Sequence, residues 1–142
     1  MNLKILAVAL FIGISFNACS QKPAKAAQTN QTKGTIELLK PIDFKTRMEK
    51  EPGVIIDVRT PNEQAKGVIK NATLLDIFRD DFEAQLDKLD KTKTYYVYCA
   101  AGGRSSEACE LMQKKGFAKV IDLDGGYTKW KNAGLPVEAK TN

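Results

Sequence analysis

Five short runs rich in β-branched and aromatic residues recur along the chain: TIELL (35–39), VIIDV (54–58), ATLLD (72–76), YYVYC (95–99) and KVIDL (119–123), with helical patterns between them. Their apolar residues are nearly continuous rather than alternating, which marks strands covered on both faces. Strands that alternate with helices pair in parallel, because each crossover returns the chain to the same end of the sheet. The pattern predicts an α/β three-layer sandwich: a central, mainly parallel five-stranded sheet with helices on both faces.

The intervening segments carry helix signals of their own. Phe44 and Met48 stand four apart in PIDFKTRMEK, a pattern stopped by Pro52-Gly53. In TPNEQAKG, Thr60 is an N-cap, Pro61 falls at the first helical position, Glu63 completes a capping box and Gly67 ends the segment. FRDDFEAQLDKLD would place Phe78, Phe82, Leu86 and Leu89 on one helical face. SSEACELMQKKG would turn Ala108, Leu111 and Met112 inward and end at Gly116, and a last helix carries Tyr127 and Trp130. At 142 residues and 43% hydrophobic, the chain has material for one core and no room for a second domain.

The front end differs in character. Lys4 precedes an apolar run over residues 5–16, and Ala18 stands directly before Cys19. A bilayer span needs about 20 apolar residues, so the run has the layout of a signal peptide rather than a membrane helix. A cysteine at this place resembles the bacterial lipoprotein signal, in which it is lipidated, although Phe16 stands where a leucine-like residue is usual. The expectation is a signal over residues 1–18, lipid attachment at Cys19, a flexible tether over 19–34 rich in Gln, Lys, Thr and Ala, and a folded domain over 35–142. The protein is then exported and held at the cell envelope by its lipid.

Charge and composition narrow the chemistry. The formal charge of +5 is interspersed with acidic residues and builds no aromatic-interleaved basic patch, so no nucleic-acid partner is expected. The chain contains no histidine, which removes the usual general base, the commonest metal ligand and any Cys-His dyad.

The sharpest local signal is YYVYCAAGGRSSEACE, residues 95–110. Cys99 ends an apolar strand, where ligands of open α/β sheets bind, at the edge of a turn that looks built to expose it. Ala100, Ala101, Gly102 and Gly103 carry minimal side chains, so the backbone can curl and aim several N–H groups at the sulfur. A helix starting near residues 104–106 adds unpaired N–H groups and the positive end of its dipole, and Arg104 adds a charge. Such a cradle favours a thiolate that needs no base. Cys109, inside the following helix beside Ala108, reads as core filler, and the helical rise leads its thiol away from the loop, which argues against a disulfide to Cys99.

Three ordered segments, VIIDVRTPNEQAKGVIKNA, YVYCAAGGRSS and VIDLDGGYTKWKNAGLPV, together resemble the rhodanese family over nearly all of residues 35–137. The loop has that family's C-x-x-G-x-R-S form in Cys99, Gly102, Arg104 and Ser105. The resemblance implies a sulfurtransferase whose Cys99 takes a sulfane sulfur from a small anion such as thiosulfate, or from a persulfide. It holds the sulfur as a cysteine persulfide and passes it to cyanide or to a thiol acceptor, including one on a protein, with no metal or organic cofactor. Residues 100–105 would form the anion cradle. Asp57 and Arg59, in the family's D-x-R motif, would support it, Asp57 through the loop N–H groups or Arg104 and Arg59 through structural ion pairs; a surface salt bridge is the plainer reading of Arg59.

Two features depart from the family. Val68 stands where histidine is frequent, and the alanine rim lacks the cations of some thiosulfate-preferring relatives, which leaves a low-molecular-weight or protein persulfide as plausible a donor. Two other functions remain open at the level of sequence. One is a non-catalytic binding module of the same fold, disfavoured by retention of Cys99. The other is a cysteine-dependent phosphatase or arsenate reductase, disfavoured because four residues separate Cys99 from Arg104 and the phosphatase loop is one residue longer.

Overall fold

The computed structural model describes residues 34–139; the signal and the tether up to residue 33, and with them Cys19, lie outside the described residues. Five strands and five helices alternate strictly: β1 (Thr35–Leu39), α1 (Pro41–Lys50), β2 (Val54–Asp57), α2 (Pro61–Gln64), β3 (Thr73–Leu74), α3 (Phe82–Asp87), β4 (Thr94–Tyr98), α4 (Gly103–Lys114), β5 (Lys119–Leu123) and α5 (Gly126–Asn132). The strands form one sheet in the order β1-β5-β4-β2-β3, and every neighbouring pair is parallel. β4, the strand that leads into Cys99, is thus the central one.

A parallel sheet covered on both faces needs two apolar layers, and β4 supplies both by the two-residue period of a strand. Tyr95, Val97 and Cys99 face a core shared with Phe82 and Leu86 of α3 and Ala108, Cys109 and Met112 of α4. Tyr96 and Tyr98 face the opposite core with Phe44 of α1 and Tyr127 and Trp130 of α5. Edge-to-face contacts lock each layer, at centroid separations of 5.0 Å for Tyr95–Phe117 and 5.3 Å for Phe44–Tyr96. The capping box expected at Thr60 is present: the Thr60 N–H donates to Glu63 Oε2 at 3.0 Å, and the Glu63 N–H bonds back to Thr60.

Two elements are shorter than their sequence patterns. The run 72–76 pairs over Thr73–Leu74 alone, because β3 is an edge strand and Leu75 and Ile77 instead donate to the carbonyls of Asp57 and Val58 as the chain peels away. The amphipathic pattern beginning at Phe78 does not fold as one helix. Asp76 Oδ1 accepts the Phe78 N–H at 3.0 Å, and Arg79 pairs with Asp81 at 2.8 Å, so side-chain acceptors close local turns and delay α3 to Phe82. Phe78 is left 68% exposed instead of joining Phe82 in the core.

Candidate active site

The C-terminal end of β4 carries the cysteine, and three features fix the loop that follows. Gly102 adopts a φ of 105°, a left-handed conformation open to glycine, and caps α4. Its N–H donates to Cys99 Sγ at 3.0 Å. From the far side, the first turn of α5 braces the loop: the Tyr127 N–H donates to the Cys99 carbonyl at 2.8 Å and the Thr128 N–H to the Ala100 carbonyl at 3.0 Å. This close approach requires Gly126, since a Cβ there would collide with the Cys99 carbonyl and sit 2.9 Å from that of Ala100. The Gly-Gly pair in DLDGGY is therefore part of the site.

Several expectations about the loop need correction. Cys99 is 1% exposed rather than presented at the surface, because its side chain points inward beneath the first turn of α4. One N–H, that of Gly102, makes a hydrogen bond to the sulfur, where several were expected. The helix begins at Gly103, just ahead of the expected start. Ala101 lies exposed and Ala100 half-buried at the rim, and Ser105 is buried.

Arg104 does not hydrogen-bond the sulfur. Its guanidinium makes a two-pronged bond to Glu63, at 2.7 and 2.8 Å, tying α4 to the short α2. No local pattern couples Glu63 to Arg104, forty-one residues away; Glu63 is legible along the chain only as a capping-box residue. The Arg104 bond, aided by the Thr60 N–H and hydroxyl, holds the Glu63 carboxyl down at about 2. A carboxylate whose folded value is depressed contributes stability above its ordinary value, and that contribution is lost as pH falls. Glu63→Gln should therefore weaken the wild type's tie by ~1 kcal/mol, after allowance for partial exposure. The deficit should be full at pH 7 and vanish between pH 4.5 and about 2, as thermal unfolding across that range would measure.

Asp57 and Arg59 are both buried but serve each other rather than the loop. Asp57 accepts the Arg59 backbone N–H at 3.0 Å, its Nε at 2.9 Å and its Nη2 at 2.6 Å. Arg59 Nη2 also donates to the Gly67 carbonyl at 2.8 Å, and the guanidinium lies 4.0 Å from the centre of the Tyr127 ring. The expected bracing of the loop by Asp57 through its N–H groups or Arg104 is replaced by an indirect route: Asp57 holds Arg59, Arg59 supports Tyr127, and the Tyr127 N–H holds the Cys99 carbonyl. The surface-salt-bridge reading of Arg59 does not hold, since its side chain is 3% exposed. Val68, in place of histidine, packs as a buried residue and bridges to Glu138.

Cys109 is fully buried and unpaired, as is Cys99 in the sense of disulfides. Burial pushes the Cys109 thiol far up, so it is an inert member of the core. Asp122 on β5 was not singled out by sequence. It is buried beneath α4, and burial pushes its carboxyl up to about 6 against the pull of Ser105 and the Leu123 N–H.

Comparison with known proteins agrees with this geometry. The rhodanese-like domain family matches residues 40–133. A sulfurtransferase of Allochromatium vinosum is 33% identical over 89 residues, covering 63% of this chain and 81% of that protein. A tRNA uridine(34) hydroxylase of Cytophaga hutchinsonii is 35% identical over 103 residues, but the match spans 33% of its length. The crystal structure of a rhodanese-related protein from Thermoplasma volcanium superposes with a TM-score of 0.66 at 28% identity, covering 73% of this chain and 99% of that one. With the parallel sheet, the cysteine loop at the end of β4 and the Gly-Gly turn against it, these matches establish that the chain belongs to the rhodanese-like domain family, among relatives that include sulfurtransferases.

Proposed function

We propose that the protein is a sulfurtransferase that carries a sulfane sulfur on Cys99. The observation that carries this reading is the Gly102 N–H at 3.0 Å from Cys99 Sγ, at the end of the central strand. A fixed N–H donor aimed at sulfur stabilises negative charge there without having to reorganise during reaction. In the first half-reaction the Cys99 thiolate attacks the outer sulfur of thiosulfate; the new Cys99–sulfur bond forms as the sulfur–sulfur bond of the donor breaks, and sulfite leaves with the electron pair. A persulfide donor reacts in the same way and releases its thiolate. In the second, cyanide or a thiolate acceptor attacks the outer sulfur, and Cys99 leaves as thiolate. No oxidant or reductant enters the balance.

The alternative chemistry of a phosphatase needs an arginine free to grip the phosphoryl oxygens. Arg104 is neutralised by Glu63, and the loop is one residue short, so both features favour sulfur. Thiosulfate-to-cyanide transfer, assayed beside hydrolysis of a phosphate ester, tests the choice: transfer without hydrolysis supports the reading, and the reverse overturns it. The small, uncharged rim of Ala100 and Ala101 supports a persulfide as donor on equal terms with thiosulfate.

The reading includes export and lipid anchoring at Cys19, supported by the apolar run over residues 5–16 and by Ala18 before the cysteine. The described domain would then stand off the membrane on residues 19–34. Cys19→Ala should release the full chain from the membrane fraction into the soluble one; retention in the membrane would refute the anchor.

A further inference from the structure

Between the α2 segment and α5 lies a cavity of about 250 Å³ whose lining includes Arg59, Glu63, Lys66, Thr128 and Lys131. It borders the cysteine loop at both ends. The Thr128 N–H donates to the Ala100 carbonyl at 3.0 Å, and the Glu63 carboxylate holds the Arg104 guanidinium at 2.7 Å. The sulfur-transfer scheme assigns this cavity no part.

Its charges do not cancel. Arg59 is engaged by Asp57, and Glu63 by Arg104. Lys66 and Lys131 remain, and among the described residues neither makes an ion pair. Nearby Lys70 and Lys129 differ, since Glu138 and Asp124 neutralise them. The stretches outside residues 34–139 contain no Asp or Glu, so they bring no acidic side chain to cover the two lysines. Two uncompensated ammonium groups on one concave wall attract an anion, and a carboxylate accepts hydrogen bonds from both.

The position of these cations selects the kind of anion. In thiosulfate the charge sits on the reacting group itself, so cations that favour it belong at the sulfur, where this loop has Ala100 and Ala101. Here they stand to one side of the loop, which suits a molecule whose sulfur and charge are separated by carbon. The volume, just below the roughly 300 Å³ at which pockets for small organic molecules begin, has room for such a chain. We propose that the cavity binds the carboxylate end of a low-molecular-weight thiol, with Lys66 and Lys131 as specificity-determining residues. One subsite serves both half-reactions, because the thiolate released by a persulfide donor is the same species that attacks as acceptor. In the acceptor direction the thiolate bonds to the outer sulfur, the sulfur–sulfur bond to Cys99 breaks, and Cys99 leaves as thiolate; the carboxylates are unchanged.

Because this assignment rests on sulfur transfer at Cys99, binding is measured apart from transfer. (Methylthio)succinate, a dicarboxylate whose capped sulfur cannot attack, should shift the backbone amides of Thr128 and Lys131 when titrated into the full chain. The double variant Lys66→Gln, Lys131→Gln should raise its Kd about tenfold, the scale of two partly exposed ion pairs. In turnover with thiosulfate as donor, mercaptosuccinate and its dimethyl ester serve as acceptors. The double variant should raise KM about tenfold for the diacid with kcat unchanged, and should leave KM for the ester as it was. Added salt should shrink the difference between wild type and variant. Equal losses with diacid and ester, or an unchanged Kd for (methylthio)succinate, would overturn the subsite. A raised KM for thiosulfate with the diacid unaffected would assign the cavity to the donor anion and overturn it as well. Absence of any transfer would defeat the role of Cys99, while the titration still decides the subsite.

Discussion

Serine in place of Cys99 is expected to abolish sulfur transfer, lowering kcat/KM by about a thousandfold or more with every donor, the scale on which loss of a covalent nucleophile is felt. The size of the effect follows from the absence of any substitute. The chain has no histidine to activate the serine hydroxyl, and Cys109 is sealed in the core. The substitution should leave the fold intact, since the side chains are of similar volume and the Gly102 N–H at 3.0 Å can donate to oxygen as well as to sulfur. Steady-state kinetics with thiosulfate and with a low-molecular-weight persulfide, beside a circular dichroism melt, would check both halves. Residual activity within tenfold of wild type would remove Cys99 from the reaction.

The second large effect concerns stability. Asp57→Ala should cost about 3–5 kcal/mol, because it strands the Arg59 guanidinium in the interior without a counter-charge. Asp57 is completely buried and makes three bonds to the Arg59 side chain alone. The remaining acceptors, the carbonyls of Gly67 and Glu63, are neutral and do not replace it. The double variant Asp57→Ala, Arg59→Met should cost less than the sum of the two single changes, since it removes the stranded charge as well as the pair. Urea denaturation of the four proteins measures this coupling. Additive losses would mean that the pair contributes nothing beyond its separate contacts. Because Arg59 supports the Tyr127 ring at 4.0 Å and the Tyr127 N–H holds the Cys99 carbonyl, Asp57→Ala should also lower transfer activity in whatever fraction remains folded.

The architecture was readable from periodicity because the five runs are buried on both faces and the helices between them are bounded by caps and glycines. The departures occur where local polar chemistry competes with that pattern. Phe78 fits the stripe of α3, but Asp76 and Asp81 offer nearby acceptors that close turns first. The cysteine loop was legible as Cys99 followed by small residues and glycines, since those residue types have few other uses at the end of a strand. What the sequence could not disclose were contacts between segments distant along the chain. Arg104 finds Glu63 rather than the sulfur, Asp57 finds Arg59 rather than the loop, and the Gly-Gly start of α5 closes on the carbonyls of Cys99 and Ala100. Asp122 had no local signal at all: an acid within KVIDL reads as the end of a strand, and only the packing of α4 over β5 shows that it is buried.

In the proposed scheme, sulfur resides covalently on Cys99 between the two half-reactions. Intact mass of the folded domain after brief exposure to thiosulfate or a persulfide, with peptide mapping to locate the adduct, tests it most directly. The expected result is the gain of one sulfur atom, placed on Cys99, discharged by cyanide or a thiol and absent in Cys99→Ser. Sulfur acquired equally by the serine variant, or turnover by wild type with no adduct formed on Cys99, would contradict it.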